Sequence, residues 1–125
     1  MKIFAALAAL AILSAGQVMA EQAPIDGQYV YILKVAPQFQ EEAAWTDAEN
    51  AAVARHFERL AEGVRSGKVI LAGRTTEPLH ETFGIVIFEA ESAAAAGEFM
   101  QSDPAVVAGL MTATLHPYAV ALQRK

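Results

Sequence analysis

Apolar residues fall on both parities of the strand-like runs in this chain, and a helical repeat or a polar stretch separates each run from the next. YVYILKVA, residues 29–36, is β-branched and aromatic and is ended by Pro37, so it reads as a first strand. PQFQEEAAW, residues 37–45, reads as a loop of lid-like character. Thr46 with Glu49 three residues later has the spacing of a capping box and predicts a helix over Asp47 to Ser66, stopped by Gly67. Within it Val53, Phe57, Leu60 and Val64 recur at helical spacing as the face to be buried, while Arg55, Glu58, Glu62 and Arg65 lie on the other. KVILAGRT, 68–75, and TFGIVIFEA, 82–90, read as the second and third strands, joined by the polar TEPLHE. Ser92 caps a second, alanine-rich helix running to Met100, and Asp103 before Pro104 starts a further helical turn. LMTATLHPYAVAL, 110–122, is the last strand, with Pro117 marking a bulge or an edge.

Strand, helix, strand, strand, helix, strand is the ferredoxin-like βαββαβ order, an α+β plan with a four-stranded antiparallel sheet and both helices on one face. A sheet with one wet face should alternate apolar with polar residues. Here Tyr31, Leu33 and Val35 oppose Val30 and Ile32, and Phe83, Ile85 and Ile87 oppose Val86 and Phe88. Two helices cover one such face, so the other is expected to close against the same face of a second copy, as a homodimer.

The first twenty residues change the picture of where the domain begins. MKIFAALAALAILSAGQVMA has a single Lys2, an apolar run from Ile3 to Leu13, and Val18 and Ala20 at the positions read before cleavage. It reads as a secretory signal peptide, so the expected localisation is periplasmic or secreted, with cleavage near Ala20. Its apolar run is shorter than the roughly 20 residues of a membrane span. Residues 21–28, EQAPIDGQ, read as a short polar lead, and residues 29–125 as the folded domain. With no cysteine, an exported domain of this size rests on packing alone. Setting Lys2 aside with the leader leaves eight basic against fourteen acidic residues, and no basic stripe, which argues against nucleic acid and membrane surfaces as partners.

Candidate chemistry centres on His56 and Asp103. On the predicted helix His56 falls about 80° from the centre of the apolar face, at its margin, where it is either a general acid or base or a polar edge of the core. Asp103 is either a helix cap or the carboxylate that orients an imidazole, and the two roles are compatible. Arg74, at the end of the second strand, is a candidate for holding an anionic substrate or a solvated charge. Tyr31, with Tyr29 and Tyr118, is a candidate pocket residue or core aromatic, and His116 either faces the same cleft as His56 or rides an edge. His80 reads as a surface residue. The three histidines lack a short ligand spacing, and there is no Gly-rich phosphate loop, nucleophile elbow or cysteine nucleophile, so neither a metal nor a cofactor is expected.

RHFERLAEGVRSGKVILAGRT, GIVIFEAES, SDPAVVAGL and LHPYAV, in that order, resemble the YCII-related family. That family's pattern has a histidine on the first helix, a glycine before the second strand, "AG" at its end, an aspartate-proline pair after the second helix and a closing proline-aromatic strand. These fall at His56, Gly67, Ala72 with Gly73, Asp103 with Pro104, and Pro117 with Tyr118, and the likeness covers about residues 29–122. The resemblance implies a ferredoxin-like protomer, a dimeric α+β barrel, and a dyad of His56 and Asp103. Some members resemble small-molecule enzymes, one of them a dehydrochlorinase of chlorinated hydroxyhydroquinones. This chain departs from the pattern in its leader and in Ala105, where an aromatic often follows the proline.

Three functions compete. The first is a lyase or isomerase in which His56 moves a proton, Asp103 orients it, and Arg74, Tyr31 or His116 binds the substrate. The second is a noncatalytic dimeric barrel that holds a small ligand in an apolar pocket. The third is a haem-binding barrel, which the colour of the purified protein would expose. Fold alone does not choose among them.

Overall fold

The computed structural model describes residues 27–125, so the signal peptide assigned to residues 1–20 and the lead as far as residue 26 lie outside the described residues. Strand β1 spans Gly27–Val35, β2 Val69–Arg74, β3 Phe83–Ala90 and β4 Met111–Tyr118. Helix α1 spans Asp47–Ser66, α2 Ala93–Gln101, and the short α3 Pro104–Val107. The strands form one antiparallel sheet in the order β2-β3-β1-β4, the ferredoxin-like α+β arrangement that the order of elements predicts. β1 begins two residues earlier than its β-branched run, because Gly27 and Gln28 pair with Ala90 and Glu89 of β3. Ladder pairing here overrides the poor strand preference of glycine. β4 is an edge strand, which is where Pro117 is tolerated, and it ends at Tyr118 rather than at residue 122.

Local chemistry sets the helix ends as the sequence predicts. Thr46 and Glu49 exchange both bonds of a capping box, and Gly67, at φ 87°, occupies the left-handed conformation that closes α1. Ser92 accepts from the backbone of Ala95 at the start of α2. Residues 37–45 fold into two short 3₁₀ turns, Pro37–Phe39 and Glu42–Ala44, tied together by Trp45 Nε1 donating to the Phe39 carbonyl at 2.7 Å.

The face of α1 is the main correction to the sequence reading. Its buried residues are Ala52, Leu60 and Gly63, whereas Phe57 is 72% exposed and Val64 52% exposed. At about 100° per residue the buried stripe is turned by roughly 80° from the one drawn through the large apolar side chains. The cause is small residues. A Cβ on Gly63 would stand 2.5 Å from Val69 Cγ2, so the helix backbone settles against β2 at that point. The rotation carries His56 from the margin of the stripe into it.

Gly63→Ala therefore sets a gain of about 1 kcal/mol in helix preference against an overlap with β2 costing about 1–3 kcal/mol. We expect a net loss of stability in urea unfolding, and in a cycle with Val69→Ala, itself a destabilising core truncation, the double variant should lose less than the sum of the singles because the overlap is gone. A stabilised single variant would rule out the close approach.

Under the helices lies the core, built from Tyr31, Leu33, Val86 and Phe88 on the sheet with Leu60, Ala96 and Met100 above. Tyr31 stands edge-on to Phe88, with ring centroids 5.6 Å apart, and Phe88 lies 4.8 Å from Phe99. The reverse face carries Val30, Ile32, Ile85, Ile87 and Leu71, paired across the strands. Of these, Val30 and Ile87 are buried, Ile32 and Ile85 half-buried, and Leu71 exposed.

Candidate active site

Asp103 is the fixed point of the site. It precedes Pro104, a position that disfavours helical backbone, and its φ and ψ of −62° and 128° are extended, so α3 starts one residue later. Its side chain caps that start by accepting from the Ala105 backbone N–H at 2.9 Å. The same carboxylate, wholly buried, accepts from the Tyr31 hydroxyl at 2.6 Å and meets His56 Nδ1 at 2.8 and 2.9 Å. The cap and the histidine partner are thus one residue holding both roles. Three elements converge here: β1 brings Tyr31, α1 brings His56, and the turn before α3 brings Asp103.

Electrostatics fix the protons. Burial works against the Asp103 carboxylate, but hydrogen bonds from His56 and Tyr31 outweigh it and hold its pKa below the usual aspartate value. An ionised carboxylate only accepts, so His56 Nδ1 carries the proton between them. Tyr31 is pushed far above the ordinary tyrosine range by burial first, then by its bond to Asp103 and the charge on it. It stays a donor. His56 is 14% exposed in its side chain, and Nε2 makes no hydrogen bond within the described residues. The arrangement is an imidazole locked in one tautomer with its second nitrogen left to give or take a proton.

Other candidates fall elsewhere. Tyr31 was expected at the substrate, but it has no exposed surface and instead braces Asp103 from beneath. His116 pairs with Val30, whose side chain is on the reverse of the sheet from Tyr31, so it does not share a cleft with His56. Pleat alternation is the reason. Arg74 is exposed at the end of β2 and its hydrogen bond goes to the neighbouring Thr75 carbonyl, away from the three-residue network. Arg59 went unnoticed in the sequence. It lies three residues after His56, donates from Nη2 to Ser102 Oγ at 2.7 Å, and covers the Phe99 ring at 4.1 Å. The i,i+3 spacing from a candidate histidine was the available signal.

Fold and site together define an α+β protein of ferredoxin-like plan with a tyrosine-braced histidine–aspartate pair, its carboxylate buried, between helix and sheet. The family model of the YCII-related domain matches residues 28–115, and the chain belongs to that family. A comparison with curated proteins finds no match.

Proposed function

We propose that this chain is an exported small-molecule lyase or isomerase, working as a homodimer, in which His56 Nε2 exchanges a proton with the substrate. The observation that carries it is the 2.8 Å contact of His56 Nδ1 with the buried Asp103 carboxylate. Asp103 holds the Nδ1–H tautomer, leaving a lone pair on Nε2, and it offsets the positive charge the ring gains when Nε2 takes a proton. Tyr31 keeps the carboxylate in place. The electron pair left on the substrate carbon then either expels a leaving group, forming a double bond, or recaptures the proton at another carbon. Export rests on the leader in residues 1–20, and the homodimer on the apolar side chains of the reverse face of the sheet.

The test is proton exchange. In deuterated water, a panel of small neutral and anionic carbon acids is followed by proton NMR with and without the protein. Wild type should exchange at least one of them, and His56→Ala should lose about 10²–10⁴-fold of that rate while staying folded. Exchange no faster than in buffer, or equal exchange by the variant, would sink the proposal.

A further inference from the structure

The dyad has a cationic neighbour whose bonding is incomplete. Arg59 Nη1 is the buried side-chain nitrogen that lacks any partner among the described residues. Nη2 of the same guanidinium is satisfied by Ser102, the residue next to Asp103, so the group bridges α1 to the turn that carries the carboxylate. A buried N–H without an acceptor is destabilising, and proteins seldom keep one without use for it. Asp103 does not supply the missing acceptor, because Tyr31, His56 and Ala105 already occupy its oxygens.

A second cation stands close by. Lys68 Nζ lies 4.8 Å from the centre of the Phe99 ring, the ring that Arg59 covers at 4.1 Å. Within the described residues neither Arg59 nor Lys68 has a carboxylate at ion-pair distance, and Lys68 donates instead to the Glu89 carbonyl. Arg59 and Lys68 thus bring two cations to one aromatic ring. His56 and Arg59 are one helical turn apart on the same side of α1, a separation of about 5–6 Å between Cβ atoms.

We propose that the substrate of the dyad is a small organic monoanion whose carboxylate docks on Arg59 Nη1, with Lys68 as the outer counter-charge. The inference rests on the reading of His56 and Asp103 as an acid/base pair. One free guanidinium nitrogen suits one carboxylate oxygen, and the nearby Asp103 charge disfavours a multiply charged phosphate. Entry does not require breaking the Ser102 bond, because the contact with Phe99 is a face contact without a fixed direction, across which the guanidinium can slide.

The test uses benzoate and its neutral isostere benzamide, titrated into the purified protein and followed through the Arg59 Nε–H and the His56 ring signals by ¹⁵N NMR. Benzoate should give saturable shifts at both and bind at least tenfold more tightly than benzamide. Arg59→Gln should erase that preference, and Arg59→Lys should keep part of it. Equal binding of the two probes by wild type, or an undiminished preference in Arg59→Gln, overturns the proposal. If Arg59→Gln fails to fold, Arg59→Lys decides: a reduced preference supports the site and an unchanged one overturns it. The underlying dyad has its own readout in the same spectra. A His56 ring without the Nδ1–H tautomer defeats the acid/base reading whatever benzoate does, and a correct tautomer without benzoate selectivity defeats only the carboxylate site.

Discussion

Asp103→Ala should cost the protein about 3–5 kcal/mol of folding stability, the range for breaking a buried charged network by removing one partner. The alanine leaves the fully buried Tyr31 hydroxyl without an acceptor, which alone costs about 1–3 kcal/mol. It also removes the cap of α3, worth about 1 kcal/mol. His56 loses its partner at the same time. For a domain of this size each kcal/mol is about 4–8 °C of melting temperature, so thermal unfolding should show a drop of well over 10 °C. A cycle with Tyr31→Phe checks the mechanism: the double variant should lose clearly less than the sum of the singles, since the phenylalanine leaves no orphaned hydroxyl. Strict additivity would mean that the 2.6 Å contact is energetically idle.

The same carboxylate gives the fold an acid limit. Its folded pKa lies below the unfolded value, so it binds its proton more readily when unfolded, and the unfolded state gains protons first as the pH falls. The stability it contributes is complete above the unfolded value of about 3.9 and is lost as the pH drops through the lower folded value. The stability gap between wild type and Asp103→Asn should therefore narrow as urea titrations are carried below about pH 4. A gap that widened there would reverse the sign of the linkage.

What the sequence discloses and what it hides follow from the range of the interactions involved. Thr46 with Glu49, Gly67, and Asp103 with Pro104 are local devices, and each end they predict is where the structure has it. The ferredoxin-like order follows from those ends and from the strand runs between them. The orientation of α1 is not local. It is decided by how closely a helix backbone can approach β2, and Gly63 and Ala52, which carry almost no hydrophobic signal, decide it. A pattern read from large apolar residues therefore points Phe57 inward when it faces out. The roles of Tyr31 and His116 turn on strand register, a long-range property: a residue's parity is visible in the sequence, but which parity faces the helices is not. Arg59 was hidden for the same reason as His56 was displaced, since both move inward with the rotation of the helix.

If a homodimer forms as proposed, through the apolar reverse of the sheet, Ile32→Asp tests it with the largest effect we expect on assembly. Ile32 pairs with Ile85 on one side and Thr114 on the other, in the middle of that face. Withdrawing its apolar surface costs about 1.5–3 kcal/mol per copy, and a carboxylate in its place adds a desolvation penalty of several kcal/mol. Two-fold symmetry counts each cost twice. The dimer dissociation constant should rise by at least about 10⁴-fold, turning a dimer at micromolar concentration into a monomer by light scattering. Because Ile32 and Tyr31 point to opposite faces of β1, the substitution lies across the sheet from His56 and Asp103. The His56 tautomer should survive in any folded monomer, so assembly and site chemistry separate in one variant. A wild-type protein that is already monomeric at that concentration, or an Ile32→Asp protein that remains dimeric, would mean that this face meets something other than its own copy.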